Sequence, residues 1–292
     1  MEQNEKRRRQ HWRIPQDRQI RSPTGLGRRR RFGNQHEDKN ILVNLYQQAA
    51  EQILQSRSAV ALTGAGISVE SGIPDFRSPQ GLWSKYDPME FGHIESFRTN
   101  PARVWRMLLE MDALLAQAQP NPAHFALADL EARGLLQAVI TQNVDSLHQR
   151  AGSRKVVEFH GHNRSLRCDA CGAQFPRETV TLESVPPHCR CGCALRPEFV
   201  FFGENIPPDA HHEAVTAVDE CDMMLIVGTS ATVAPASLLP ISAKRRGAFL
   251  LEINPDRTEL SYRMSDLHIA EPAGKALPAI MAALDRVSLR GF

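Results

Sequence analysis

The chain has 292 residues, 42% of them apolar, and no run of 18 apolar residues. That length suits one large domain, or a large one with a small one, and the composition supports a real core while excluding a membrane-spanning helix. Net charge is only +2, yet residues 1–40 carry twelve Lys/Arg against five Asp/Glu, a balance of +7, which leaves residues 41–292 at −5. Six cysteines in so long a chain do not make a disulfide scaffold. Five of them lie between Cys168 and Cys193, a pattern of metal ligation in a reducing compartment, so the expected location is cytoplasmic.

Residues 1–38 hold Arg7-Arg8-Arg9 and Arg28 to Arg31 with few apolar positions. They read as a disordered basic tail. Its charge allows weak, non-specific contact with nucleic acid or an acidic partner. No apolar segment follows the first charges, so a secretory signal is not expected, and Glu2, Glu5 and Asp17 weaken a presequence of mitochondrial type.

Residues 41–55 have helical apolar spacing, and Ala59 to Leu62 form a short apolar run that fits a buried parallel strand. Thr63-Gly64-Ala65-Gly66 follows. Such a turn lets backbone come close to a ligand and leaves N–H groups for phosphate oxygens. Alone such a turn is also an ordinary glycine turn. Ser68 and, eleven residues after the first glycine, Asp75-Phe76-Arg77 raise its interest. From Ser78 to Pro88 the mixture of Gly, Pro and aromatic residues predicts a long irregular loop that folds over a ligand.

Helices are predicted over 101–117 and 122–132, each with Pro in its first turn. A second strand runs from Leu135 to Ile140 and delivers Gln142-Asn143-Val144-Asp145. Ligands bind at the carboxyl ends of strands in open parallel sheets, so this cluster can share a crevice with the first loop. Its amides and carboxylate suit ribose hydroxyls and a carboxamide; the plain alternative is a helix cap by Asn143 or Asp145. A short strand, Val156 to Phe159, ends in His160-Gly161, and His160 is a fair general base because its pKa range suits neutral pH. His148, His162, His211 and His212 are weaker candidates, the last two reading as a solvated helix face.

Cys168-x-x-Cys171, then seventeen residues, then Cys189-x-Cys191 nearly matches a zinc ribbon. His188 or Cys193 could replace one ligand; the preferred set is Cys168, Cys171, Cys189 and Cys191, a closed and hence structural site. Beyond it come a helix from Pro208 to Glu220, a buried thiol at Cys221, a strand over 223–227 ending in Gly228-Thr229-Ser230, a helix over 237–246, a strand over 248–253 ending in Asn254-Pro255, and a closing helix over 273–284. Strands alternating with helices argue for a parallel α/β sheet.

Taken together, these motifs closely resemble the sirtuin family, NAD-dependent protein-lysine deacylases. The likeness runs from Val60 to Leu284. It rests on Gly64 to Ser68, Gly72 to Arg77, Thr141 to Asp145, His160-Gly161, the cysteines, Phe202-Gly203-Glu204, Gly228 to Ser230 and Ile253 to Pro255. The resemblance implies a Rossmann-like part (39–75, 120–160 and 205–287) and a smaller zinc-binding part (76–119 and 161–204). It places NAD on Gly64, Ala65, Gly66, Ile67, Ser68, Asp75, Phe76, Arg77, Trp83, Gln142, Asn143, Val144, Asp145, Gly228, Thr229, Ser230, Asn254, Pro255, Asp256 and Ala273. His160 becomes the base and Asn143 orients ribose hydroxyls and water. The acyl oxygen attacks the ribose, and the products are nicotinamide, O-acyl-ADP-ribose and free lysine. The acyl-lysine protein pairs as a strand between Phe202-Gly203-Glu204 and residues 228–234. Leu108 and Met111 occupy the places where a succinyl-selective relative carries Tyr and Arg, so acetyl and longer apolar groups are expected. The competing readings are a mono-ADP-ribosyltransferase on the same site and a non-catalytic module that senses NAD or binds nucleic acid.

Overall fold

The structure, a computed structural model, describes residues 35–76, 78–79 and 81–289. Arg77 and nearly all of the basic tail lie outside the described residues. Strand β1 (Ala59–Thr63) is buried along its whole length. Its side chains serve two cores in alternation: Ala59 and Ala61 pack on one side, Val60 and Leu62 on the other. A strand covered on both faces must be apolar throughout, which is why Ala59 to Leu62 shows no alternation in sequence. β2 (Ala138–Thr141) and β3 (Val156–Glu158) extend the sheet on one side of β1.

A second, antiparallel sheet of order β5-β4-β6 is made by β4 (Gly161–Arg167), β5 (Gln174–Pro176) and β6 (Arg196–Phe199). The main sheet resumes on the far side of β1 with β7 (Met223–Val227), β8 (Phe249–Ile253) and β9 (Leu267–Ile269). Its order is β3-β2-β1-β7-β8-β9 with every pairing parallel. The chain therefore reverses its direction of travel across the sheet between β1 and β7, the position where open α/β sheets form a crevice.

Helices Gln35–Gln55, Pro122–Ala132 and Ala273–Ser288 cover one face through Ile53, Leu127, Leu130, Leu277 and Ile280. Helices Pro208–Glu220 and Leu238–Arg245 cover the other through Val218, Leu239 and Ala243. A third core joins helix Pro101–Gln117 to the small sheet: Trp105, Leu108, Leu166 and Leu195 are buried together, and the Trp105 indole donates to the Leu195 carbonyl at 2.8 Å. Cys221 is buried in the sheet's second core, where loss of solvent pushes its thiol up to about 11, as a packing thiol should behave.

The helices over 101–117 and 122–132 fall where the sequence predicts them. Asn100 and Asn121 cap them through their side-chain oxygens, and Pro follows each cap. Two expectations change. The stretch after Ser78 is not irregular throughout: it contains helical turns at Leu82–Lys85 and Pro88–Phe91, the second capped by Asp87. β9 was not predicted, because Leu267-His268-Ile269 is too short to show a period. Among the described residues no helix is long and apolar enough to cross a membrane.

Beneath the ends of β1 and β2 lies a buried polar chain. Thr63 and Thr141 hydroxyls meet at 2.9 Å, and Thr63 also meets His148 Nε2 at 2.9 Å. The His148 ring sits edge-on to His124 at 4.9 Å. Asn121 N–H donates to His124 Nδ1, while its side chain donates to the Ile67 carbonyl at 2.7 Å. Burial holds both imidazoles neutral, His124 down to about 4 and His148, with His124 beside it, down to about 3. The unfolded chain protonates these rings near pH 6.5, so it binds more protons than the folded one between about pH 4 and 6.5. Stability is then full above that window and falls as pH drops through it, by up to about 2.7 kcal/mol per pH unit for two rings. Urea unfolding at pH 7, 6 and 5 should show this loss, and His124→Gln should roughly halve it, leaving the His148 share; a pH-independent midpoint would contradict it.

Candidate active site

Four loops leave the carboxyl edge of the main sheet side by side, after β1, β2, β7 and β8. The first and third touch so closely that glycine is obligatory. Gly66 N–H donates to the Gly228 carbonyl at 2.8 Å, and Gly64 N–H to Val227 at 3.1 Å. A Cβ on Gly66 would lie 2.7 Å from Gly228 Cα, and one on Gly64 would lie 2.7 Å from Thr229 Cβ. Gly228 itself has φ +60°, so it too resists a side chain. The glycines thus weld two loops together before any ligand is considered. The chain then enters a 3-10 turn, Ala65–Ser71, in which Ile67 and Ser68 are buried.

The loop after β2 closes onto that turn. The Ser68 hydroxyl donates to Asp145 Oδ2 at 2.7 Å, and Asp145 Oδ1 accepts the Leu147 amide at 2.9 Å. Asp145 therefore faces the first loop and also holds the first amide of the short helix Leu147–Arg150, whose N-cap position is Ser146 rather than Asn143 or Asp145. Ser146 takes φ +58°, a left-handed conformation unusual for a side-chain-bearing residue and a frequent companion of ligand sites. Burial raises the Asp145 carboxyl above the usual range, and the amide and hydroxyl only partly offset this. Asn143 is buried and donates to the Gly64 carbonyl and to Ser68 Oγ, both at 3.2 Å, while Thr141 Oγ1 accepts the Asn143 amide. Gln142 donates to Thr229 Oγ1 at 2.9 Å and so ties the β2 loop to the β7 loop.

His160 stands at the seam of the two sheets. Its Nδ1 lies 3.1 Å from the Gln142 carbonyl. A carbonyl only accepts, so Nδ1 carries the proton and Nε2 keeps its lone pair. Burial lowers the ring's pKa below the ordinary value, with the Gln142 contact opposing, so the ring is neutral at pH 7. The next residue, Gly161, has φ +71°, and a Cβ there would sit 2.1 Å from the Glu198 carbonyl. Only glycine lets β4 start so close to β6 and leave His160 at the crevice.

Asp75 and Phe76 bond through their carbonyls to the Leu82 and Trp83 amides at 2.8 and 3.0 Å. The Phe76 ring stacks on Trp83 at 5.4 Å, and Trp83 leans on Phe202 at 6.0 Å. An aromatic row thus runs from the first loop to the segment that follows β6. Asn254 donates to the Thr229 carbonyl at 3.4 Å and accepts the Asp256 amide; Pro255 and Asp256 are exposed, and Ala273 is buried at the start of the last helix. Ser230 is exposed beside Thr232. His211 and His212 lie exposed on the helix Pro208–Glu220, as a solvated face should.

The thiols of Cys168, Cys171, Cys189 and Cys191 lie within 4.8 Å of one another, with Cys168–Cys191 and Cys171–Cys189 at 3.5 Å. Zinc–thiolate bonds of about 2.3 Å in a tetrahedron put sulfurs roughly 3.8 Å apart, so these four residues fit a zinc ion. His188 and Cys193 stand outside the cluster. Thr63 and Thr141 stood in the sequence motifs without a role of their own, and the supporting residues His124 and Arg196 had no place in the sequence-based site. A threonine at the end of two predicted strands and Asn121-Pro122-Ala123-His124 as a capping box were the available signals.

The Sir2 family model matches residues 64–235. A Pyrobaculum aerophilum protein called NAD-dependent protein deacylase 2 is 45% identical over 238 residues, 81% of this chain and 95% of that protein. An NAD-dependent protein deacetylase of Saccharolobus solfataricus is 41% identical over 241 residues, 81% and 96% of the two chains. Among solved structures, a complex of a Sir2 homologue with NAD is 40% identical, with a TM-score of 0.77, covering 82% of this chain and 94% of that one. A mutant Sir2 homologue in complex with ADP-ribose reaches a TM-score of 0.79 at 41% identity, covering 84% and 98%. With this sheet order, this crevice and these relatives, the chain belongs to the Sir2 family.

Proposed function

We propose that this protein removes acyl groups from lysine side chains of proteins with consumption of NAD. The observation that carries the reading is His160. It is a neutral imidazole whose Nδ1–H is fixed on the Gln142 carbonyl, with Nε2 as its basic nitrogen, beside the loops that fit a dinucleotide. NAD supplies an electrophilic ribose carbon and takes the acyl group away, leaving nicotinamide, O-acyl-ADP-ribose and free lysine.

This chain's residues do the rest. Backbone amides from Gly64 to Ser68 meet phosphate oxygens. The Asp145 carboxylate and the Val144 backbone hold the carboxamide. Asn143, locked by Gly64 and Ser68, orients ribose hydroxyls and water. Phe76, 38% exposed and stacked on Trp83, covers the reacting carbon and keeps water away. His160 Nε2 takes a proton from a ribose hydroxyl. Gly228, Thr229, Ser230 and Asn254 complete the nucleotide's seat. The acyl-lysine backbone lies as an added strand between Phe202-Gly203-Glu204 and residues 228–234. The division into a Rossmann-like part and a zinc-binding part belongs to the same reading, with the cleft between them. So does a cytoplasmic location, since all six cysteines stay out of disulfides. The basic tail adds at most weak contact with nucleic acid or acidic partners.

Incubation with an acetyl-lysine peptide and NAD should yield nicotinamide and O-acetyl-ADP-ribose in equimolar amounts, followed by mass spectrometry; no NAD-dependent product would overturn the reading. His160→Ala should lower kcat by about 10²- to 10⁴-fold while NAD still binds, since one positioned base contributes on that scale. The acid limb of kcat/KM should fall below about pH 6.5, because activity needs His160 neutral and burial lowers its pKa. Leu108 is buried and Met111 half-buried among apolar side chains, and neither carries a charge to meet a carboxylate, so acetyl-peptide should outpace succinyl-peptide. Faster succinyl turnover would remove that preference. Chelation of zinc should lower the melting temperature and open the small sheet to proteolysis; unchanged melting would count against four-thiolate binding.

A further inference from the structure

Arg196 is the most deeply buried charged side chain of the small sheet, 1% exposed, and the proposed roles above leave it unused. It opens β6. Its guanidinium makes a two-pronged contact with Glu204: Nη1 to Oε1 at 2.6 Å and Nη2 to Oε2 at 2.7 Å. Nη2 also donates to the Phe199 carbonyl at 2.7 Å, Nε to Pro197 at 3.2 Å, and Nη1 to Asp169 at 3.4 Å. Those five contacts match the five N–H groups of the fork. The carbon at the centre of the fork lies 4.7 Å from the Phe201 ring centroid.

Glu204 is equally engaged. Besides the fork, its Oε2 accepts the Phe201 amide at 2.9 Å, and its own amide donates to the Phe201 carbonyl at 3.1 Å. The segment Phe201–Glu204 is thereby folded into one turn around the carboxylate. Gly203, within that turn, has φ +85° and packs on His93. Phe202 spends its amide on the Gly92 carbonyl and its carbonyl on the Ile94 amide. Upstream, the Val200 amide donates to the His160 carbonyl at 2.9 Å. One buried cation thus holds the turn that would receive the substrate strand and lies four residues from Val200, whose amide bonds the general base's carbonyl. Asp169, between Cys168 and Cys171, links the same cation to the cysteine cluster.

Burying a charge is costly, and an apolar pair in its place often leaves stability unchanged or improved. A stabilising role alone therefore does not explain Arg196. We propose that Arg196 is a positioning residue that acts through Glu204 to set the edge on which the acyl-lysine peptide pairs, a proposal that rests on the deacylase reading. It touches neither NAD nor the acyl group. Its effect should appear in peptide binding and spare the nucleotide.

The test compares wild type, Arg196→Lys and the double variant Arg196→Met/Glu204→Met. Each is measured for peptide KM, kcat, NAD affinity by calorimetry without peptide, and thermal unfolding. Lysine keeps the charge but cannot fork. The expected result for Lys is a peptide KM raised about tenfold or more, a kcat within about threefold, and unchanged NAD affinity, the pattern of lost substrate binding without lost chemistry. The Met pair should restore melting yet keep the raised peptide KM. Wild-type peptide KM in a folded Lys variant, or recovery of peptide KM together with melting in the Met pair, would overturn the proposal. Loss of NAD affinity in step with peptide KM would overturn it too. Absence of any turnover in wild type would instead strike the deacylase reading, and the wild-type arm keeps the two apart.

Discussion

The loops after β1 and β2 are joined through one carboxylate that serves both at once. Asp145 gives one oxygen to the Leu147 amide and the other to the Ser68 hydroxyl. The first bond fixes the loop after β2 relative to its own helix, and the second fixes it relative to the turn after β1. Asn143 then bonds to both Gly64 and Ser68 from the same side. Burial raises the Asp145 carboxyl, so the crevice keeps a partly desolvated polar group between its first two loops. Leaving such a buried acceptor or donor without its partner costs about 1–3 kcal/mol.

Those bonds are possible only because backbone comes unusually close to backbone. Gly66 against Gly228 and Gly161 against Glu198 leave no room for a Cβ. The first contact joins the two halves of the main sheet at the point where strand order reverses. The second brings β4 against β6 directly after His160, at the seam between the two sheets. Between them the glycines determine where the crevice can open, and the side chains determine what it can hold. The threonine–histidine chain under β1 and β2 supplies the floor, because Thr141 accepts the Asn143 amide while Thr63 reaches His148.

Much of this was legible in the sequence. Ala59 to Leu62 and Met223 to Val227 announced buried strands by being apolar throughout, and Asn-Pro pairs at 100–101 and 121–122 announced both helix starts. The clustering of Ser68, Gln142 to Asp145 and His160 could be anticipated because all sit at strand ends. Other features could not be read. β9 is three residues long and gains its strand character only from pairing with β8. Arg196 follows a leucine in a cysteine-rich stretch and looks like a surface charge; only the fold brings Glu204 and Asp169 to it. Glycines at 64 and 66 read as ligand contacts, whereas their first duty is the weld to the β7 loop. Which oxygen of Asp145 faces which loop is likewise a property of tertiary packing.

The central claim is that the β1 and β2 loops form one nucleotide site through the Ser68–Asp145 bond, and a double-mutant cycle addresses it directly. Ser68→Ala, Asp145→Ala and the double variant would be compared in kcat/KM for NAD at saturating acetyl-lysine peptide, with melting curves as controls. The account predicts strong non-additivity, a coupling above about 0.5 kcal/mol, because either change alone breaks the shared bond. Effects that simply add would mean that the two loops act independently, and would contradict it.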